Sequence, residues 1–165
     1  MKLNKGFTLV ELIIVIVILG ILAVTAAPRF LNLAGDARGE TLLAVKASLQ
    51  SANSIINAKA IIQGKHTAAS DTVSEKGATI AVAYGYVAAT QAAVTAVLDL
   101  DGNFTVIQGV ANTNLGITAN NVVIYPSGVT APDGDTAIAD ACVLIYTQAA
   151  NATTKPVYSF QKNGC

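Results

Sequence analysis

The sequence is short of the residues that carry out chemistry. Its 165 residues include no Trp, one Met, one His and two Cys, and charged residues are 12 % of the chain. That charged share is roughly half the usual one. The single histidine, His66, lies in a polar stretch without a second ligand nearby in sequence, which gives a metal or general-base role little support. There is no glycine-rich phosphate loop, no GxSxG, no HExxH and no His/Cys nucleophile pair. The acids stand singly or in turns: Asp99 with Asp101, and Asp133 with Asp135. Asp99-Leu100-Asp101-Gly102-Asn103 resembles part of a calcium loop but has no downstream bidentate Glu, so an Asp-Gly turn is the better reading. No enzymatic activity, catalytic residue, cofactor or metal site is expected. Ten basic residues balance ten acidic ones, which leaves no electrostatic footprint for a nucleic acid.

The two cysteines, Cys142 and Cys165, form no CxxC and have no His beside them, so zinc is not indicated. In an exported chain they read as one disulfide, worth about 3 kcal/mol by loop entropy. Otherwise they are two free thiols.

What the sequence has in excess is apolar side chains, 53 % of the chain. They crowd the start. Met1 to Lys5 is a short basic leader that runs into Gly6, and Phe7 to Ala27 is apolar apart from Thr8, Glu11 and Thr25. As a helix, Phe7 to Ala27 would span about 31 Å, close to the roughly 30 Å hydrocarbon core of a bilayer. Lys2 and Lys5 before it fit a positive-inside orientation. Thr25-Ala26-Ala27 partly offers a secretory cleavage site, but Glu11 stands where such a signal has no charge. A lone Glu in a membrane helix costs about 2.5–3.5 kcal/mol on insertion scales and calls for a partner. The sequence shows no cation after it nearby. Cleavage between Gly6 and Phe7 would create one, an ammonium four residues away and about 6 Å along the helix.

Lys5-Gly6-Phe7-Thr8-Leu9-Val10-Glu11-Leu12, followed by an unbroken apolar run, resembles the type IV pilin signature. The resemblance implies cleavage by a prepilin peptidase after Gly6 and methylation of the new amino terminus at Phe7. It implies that Glu11 neutralises a neighbour's amino terminus during assembly. It also implies that the segment between Gly20 and Pro28 loosens in the filament. Gly20 has the poorest helix propensity short of proline, and Pro28 removes the N–H that would bond Val24. Ile18-Leu19-Gly20-Ile21-Leu22-Ala23-Val24-Thr25-Ala26-Ala27-Pro28-Arg29-Phe30-Leu31 narrows the likeness to the mannose-sensitive haemagglutinin (MSHA) pilin group. Asp36-Ala37-Arg38 and Ala83-Tyr84-Gly85-Tyr86 fit the same group.

Beyond the apolar run the helical pattern persists. Leu42, Val45, Leu49, Ala52 and Ile56 form one stripe, with Asn53 among the polar residues placed off it. Gly35 and Gly39 are expected to weaken or bend the helix, and Gly64 to stop it. One helix over Phe7–Gln63 is therefore expected, the second half lying against a head. Gly64 to Gly77 reads as a polar connection, Ala78 to Tyr86 as a short strand ending in a tight turn, and Ala88 to Leu100 as a helix. Strands are expected over 104–110, 122–125, 142–147 and 156–162, giving an antiparallel sheet of about four strands.

The expected fold is α+β: a long helical spine on a small antiparallel sheet head, as the pilin resemblance implies. Residues 1–6 would be leader, 7–29 the membrane and filament-core helix, and 30–165 the periplasmic, later extracellular head. The resemblance implies a type IV pilus subunit held first in the inner membrane, then built into a homopolymer on the bacterial surface. Its partners would be other copies of itself, the prepilin peptidase, the assembly platform with its ATPase, and host or surface glycans. The MSHA likeness implies attachment, haemagglutination and biofilm initiation. Two alternatives stay open: a major pseudopilin of type II secretion, and a single-pass anchored binding module that never polymerises.

Overall fold

The computed structural model describes residues 7–75 and 77–165, the side chains at 26–32 excepted. One helix, α1, runs unbroken over Leu9–Ile62, 54 residues or about 81 Å. It starts two residues later than the apolar run suggests. Thr8 is extended (φ −80°, ψ 150°) and caps the helix, so Phe7 lies outside it. At the other end Gly64 takes φ 70°, while Gly64 N–H bonds the Ile61 carbonyl and Lys65 N–H that of Ala60. That pattern closes the last turn as a Schellman motif, for which glycine is suited.

Two antiparallel sheets flank the second half of α1. The first, in order β1-β2-β3, comprises Asp71–Glu75, Ala78–Ala83 and Tyr86–Val87. Strand β1 corrects the reading of 64–77 as a mere polar connection. Its only large apolar side chain is Val73, fully buried opposite Ile80. One inward residue in five gives no visible alternation, so pairing with β2 decides the strand. The β2–β3 turn holds Tyr84 (φ 51°) and Gly85 (φ 80°), the two left-handed residues of a tight hairpin. A Cβ on Gly85 would stand 2.8 Å from the His66 Cα, so no larger residue fits there unchanged.

Helix α2 is confined to Gln91–Val97, shorter than 88–100, because Thr90 caps it and Leu98 turns extended. The second sheet runs β4-β5-β6-β7 over Phe104–Gln108, Asn121–Pro126, Val143–Thr147 and Val157–Gln161. Strands β5 and β6 are central and covered on both faces. Val122, Ile124, Leu144 and Tyr146 join the core built on Leu42, Val45, Leu49 and Ile56 of α1. Val123, Tyr125, Val143 and Ile145 pack beneath Leu115, Ile117 and Ala141 of the long loops. Burial on two sides explains why these strands read as continuous apolar runs. Each fully buried Leu or Val contributes roughly 1.5–3 kcal/mol. The architecture is α+β, a helical spine with a small antiparallel head.

Candidate functional site

The unusual surface is the first half of α1. Phe7 is 91 % exposed, and the large apolar side chains from Leu9 to Val24 are 47–77 % exposed. No part of the head covers them. Single exposed apolar residues are ordinary, but a continuous apolar surface is a docking or membrane surface. The rod is apolar all round, so it has no preferred side. Such a helix suits an environment that surrounds it. Among the described residues no helix is long and apolar enough to cross a membrane. The described apolar helix, Leu9 to Thr25, covers about 26 Å of the roughly 30 Å that a span needs. Gly20 sits within it, and a Cβ there would meet nothing within 4 Å. The helix is continuous through Gly20 in the isolated chain. Gly6 and the side chain of Pro28 lie outside the described residues.

Glu11 has a local partner that the sequence reading overlooked. Its Oε2 accepts from Thr8 N–H at 2.9 Å and from Thr8 Oγ1 at 2.8 Å, while Glu11 N–H donates to Thr8 Oγ1 at 3.3 Å. This is a capping box. It satisfies orphan donors of the first turn and places the carboxylate at the positive end of the helix dipole. The carboxylate is therefore built into the start of the rod.

A second group of residues joins the rod-bearing helix to the head. Asn53 is buried, although its polarity suggested a place off the apolar stripe. It lies four residues after Leu49 and three before Ile56, a spacing that could have located it. Its Oδ1 accepts from Val87 N–H at 2.9 Å and from the Tyr146 hydroxyl at 3.3 Å, and its Nδ2 donates to the Tyr158 hydroxyl at 2.8 Å. Tyr146 also donates to the Val87 carbonyl. One side chain thus links α1 to β3, β6 and β7. Burial pushes the Tyr158 phenol up to about 12 and that of Tyr146 higher still.

Cys142 and Cys165 form a disulfide between the start of β6 and the residues after β7. The bonded end lies on α1. A Cβ on Gly35 would stand 3.0 Å from the Cys165 carbonyl carbon, and one on Gly39 3.5 Å from Lys162. The two glycines, one turn apart, open space for this close approach, and the helix carries on through them without a break. Arg38 Nη1 donates to the Cys165 carbonyl oxygen at 3.3 Å.

Rod, capping box and head anchor are thus three parts of one helix. Residues 1–27 match the prokaryotic N-terminal methylation motif. The chain is also 48 % identical over 56 residues to the type IV narrow pilus major component PilA5 of Thermus thermophilus. That match covers 34 % of this chain and 48 % of the relative, so the chain spans about half the length of the curated relative it matches. No solved structure matches. The motif and the relative support a type IV pilin-like subunit. The exposed rod is covered by nothing else in this chain, whereas the head folds on its own contacts.

Proposed function

We propose that the chain is the structural subunit of a type IV pilus, polymerising through α1, with an MSHA-type role in attachment, haemagglutination and biofilm initiation. The observation that carries this reading is the exposed apolar rod on a helix whose other half is locked into a closed head. Residues 1–6 are the leader, 7–29 the membrane and core helix, and 30–165 the head. A prepilin peptidase cuts between Gly6 and Phe7, and Phe7 is methylated. The subunit waits in the inner membrane and then joins the surface fibre, moved by the platform and its ATPase.

In this reading Glu11 has two partners in turn. Thr8 satisfies one carboxylate oxygen in the single chain. The amino terminus of a neighbouring copy supplies the charge during assembly. Gly20 and Pro28 bound the stretch of helix that gives way as the rods pack, since glycine and proline are the weakest helix formers.

The test is the intact mass of the protein from sheared surface filaments. The expected chain begins at methylated Phe7 and is two hydrogens light from the disulfide. A chain starting at Met1 or Pro28 would overturn the reading. Glu11→Ala is expected to be cleaved normally and to assemble poorly. Fibres at wild-type abundance from that variant would remove the pairing role from Glu11.

A further inference from the structure

Beside Asn53 the surface between α1 and β7 is recessed. The recess has a volume of about 270 Å³ and is lined by Gln50, Ser54, Tyr86, Lys155, Pro156 and Tyr158, with Asn53 beneath. Two phenol rings and a proline supply apolar faces. The polar groups around them have unused hydrogen-bonding capacity. The Tyr158 hydroxyl accepts from Asn53 Nδ2, and its own proton has no acceptor among the described residues. The Tyr86 hydroxyl and the Gln50 amide make no hydrogen bond there either. A phenol keeps that proton throughout the physiological range. Lys155 is the one charged residue of the lining and forms no ion pair among the described residues. No carboxylate lines the recess.

We propose that this recess binds a hexose-sized saccharide bearing a carboxylate, a uronic-acid type of sugar. A sugar ring presents apolar C–H faces to tyrosine rings and a rim of hydroxyls to amide and phenol donors. The carboxylate answers the ammonium of Lys155 with a charge-assisted hydrogen bond. A bare carboxylate such as acetate would use the lysine and leave the ring faces and amide idle. The site deepens the attachment reading by naming a ligand class, and it rests on that reading only for its setting.

The test uses the full chain in detergent and follows the saturation-transfer NMR signals of three probes: methyl glucuronide, methyl glucoside and acetate. Methyl glucuronide is expected to bind saturably, and about tenfold more tightly than either of the others, since only it uses both the rings and the charge. Lys155→Met, at an exposed position, is expected to lose about tenfold for the glucuronide and to leave methyl glucoside unchanged. Tyr86→Phe and Gln50→Leu are expected to weaken both sugars. No saccharide binding, equal binding of acetate and glucuronide, or an unchanged Lys155→Met overturns the site. Filament yield is scored in parallel. Filaments that bind no glucuronide overturn the site and leave the assembly reading standing. Subunits that bind it but never polymerise uphold the site and remove the assembly reading.

Discussion

Leu19 and Leu49 lie on the same helix, yet the first is 58 % exposed and the second fully buried. The helix itself is the same at both positions. What differs is the distribution of polar residues around them. From Leu42 onward apolar residues keep to one stripe, and the stripe meets two sheets. Before Ala27 they surround the helix, and no single face could satisfy them. The head half draws its stability from this chain. The rod half finds no cover within this chain, and so contributes little to the stability of the head.

Truncation of a leucine tests that division most severely. Leu49→Ala is expected to cost the head about 2–5 kcal/mol in detergent-solubilised protein, a cavity in a closed core. Leu19→Ala is expected to shift head stability by no more than about 0.5 kcal/mol. Thermal unfolding of both variants, followed by near-UV circular dichroism, makes the comparison. Equal losses would break it.

The disulfide comes next. Cys142→Ser with Cys165→Ser is expected to cost the head about 3 kcal/mol. It should also free the chain end from Gly35 and Gly39 without altering the rod. Hydrogen exchange is expected to rise over 157–161 and stay unchanged over 12–24; a rise in both would mean the two halves are coupled.

Asn53→Ala is expected to cost about 1–3 kcal/mol, because it strands the buried Val87 N–H and takes one hydrogen bond each from Tyr146 and Tyr158. Denaturant unfolding measures this, and a loss under half that range would assign the anchoring to apolar contact alone.

Alkali sharpens the contrast in a different way. The Tyr158 phenol, near 10 in an unfolded chain, is raised to about 12 in the folded head. The folded state then holds its proton more tightly than the unfolded one. This contribution is complete below pH 10 and is lost as pH rises towards 12. Head stability is expected to fall through that window, and Tyr158→Phe to remove part of the fall, the buried Tyr146 phenol, also raised, supplying the rest. The rod has no phenol, so its helical signal should hold where the head's declines. A flat profile between those pH values would remove burial as the cause.

The smallest effect belongs to Thr8→Ala. Loss of the cap is expected to cost about 1 kcal/mol locally, read as faster amide exchange over 9–12 with an unchanged head. Unchanged exchange at those amides would show that the capping box does not hold the rod's start.

Much of the fold could be read in the residues because the relevant signals are local. Gly64 ends α1 where a left-handed residue is needed. The runs at 122–125 and 142–147 mark central strands because both faces are covered. Other features depend on distant partners. Strand β1 has one inward residue and exists through β2. Gly35 and Gly39 looked like weak points in a helix, and their purpose emerges only with Cys165 lying on them. Asn53 looked like surface until three elements converged on it.

The sequence by itself determined the rod, the single carboxylate at its start and the length of the spine, since hydrophobic period and capping act within a few residues. It also supplied the pair Cys142 and Cys165. Only the tertiary structure decided which polar residue is buried and which glycines are there for close approach. Those outcomes depend on what the chain brings next to each side chain, and hydrogen bonds and steric contact act over a few ångströms of space, however far apart the partners lie in sequence.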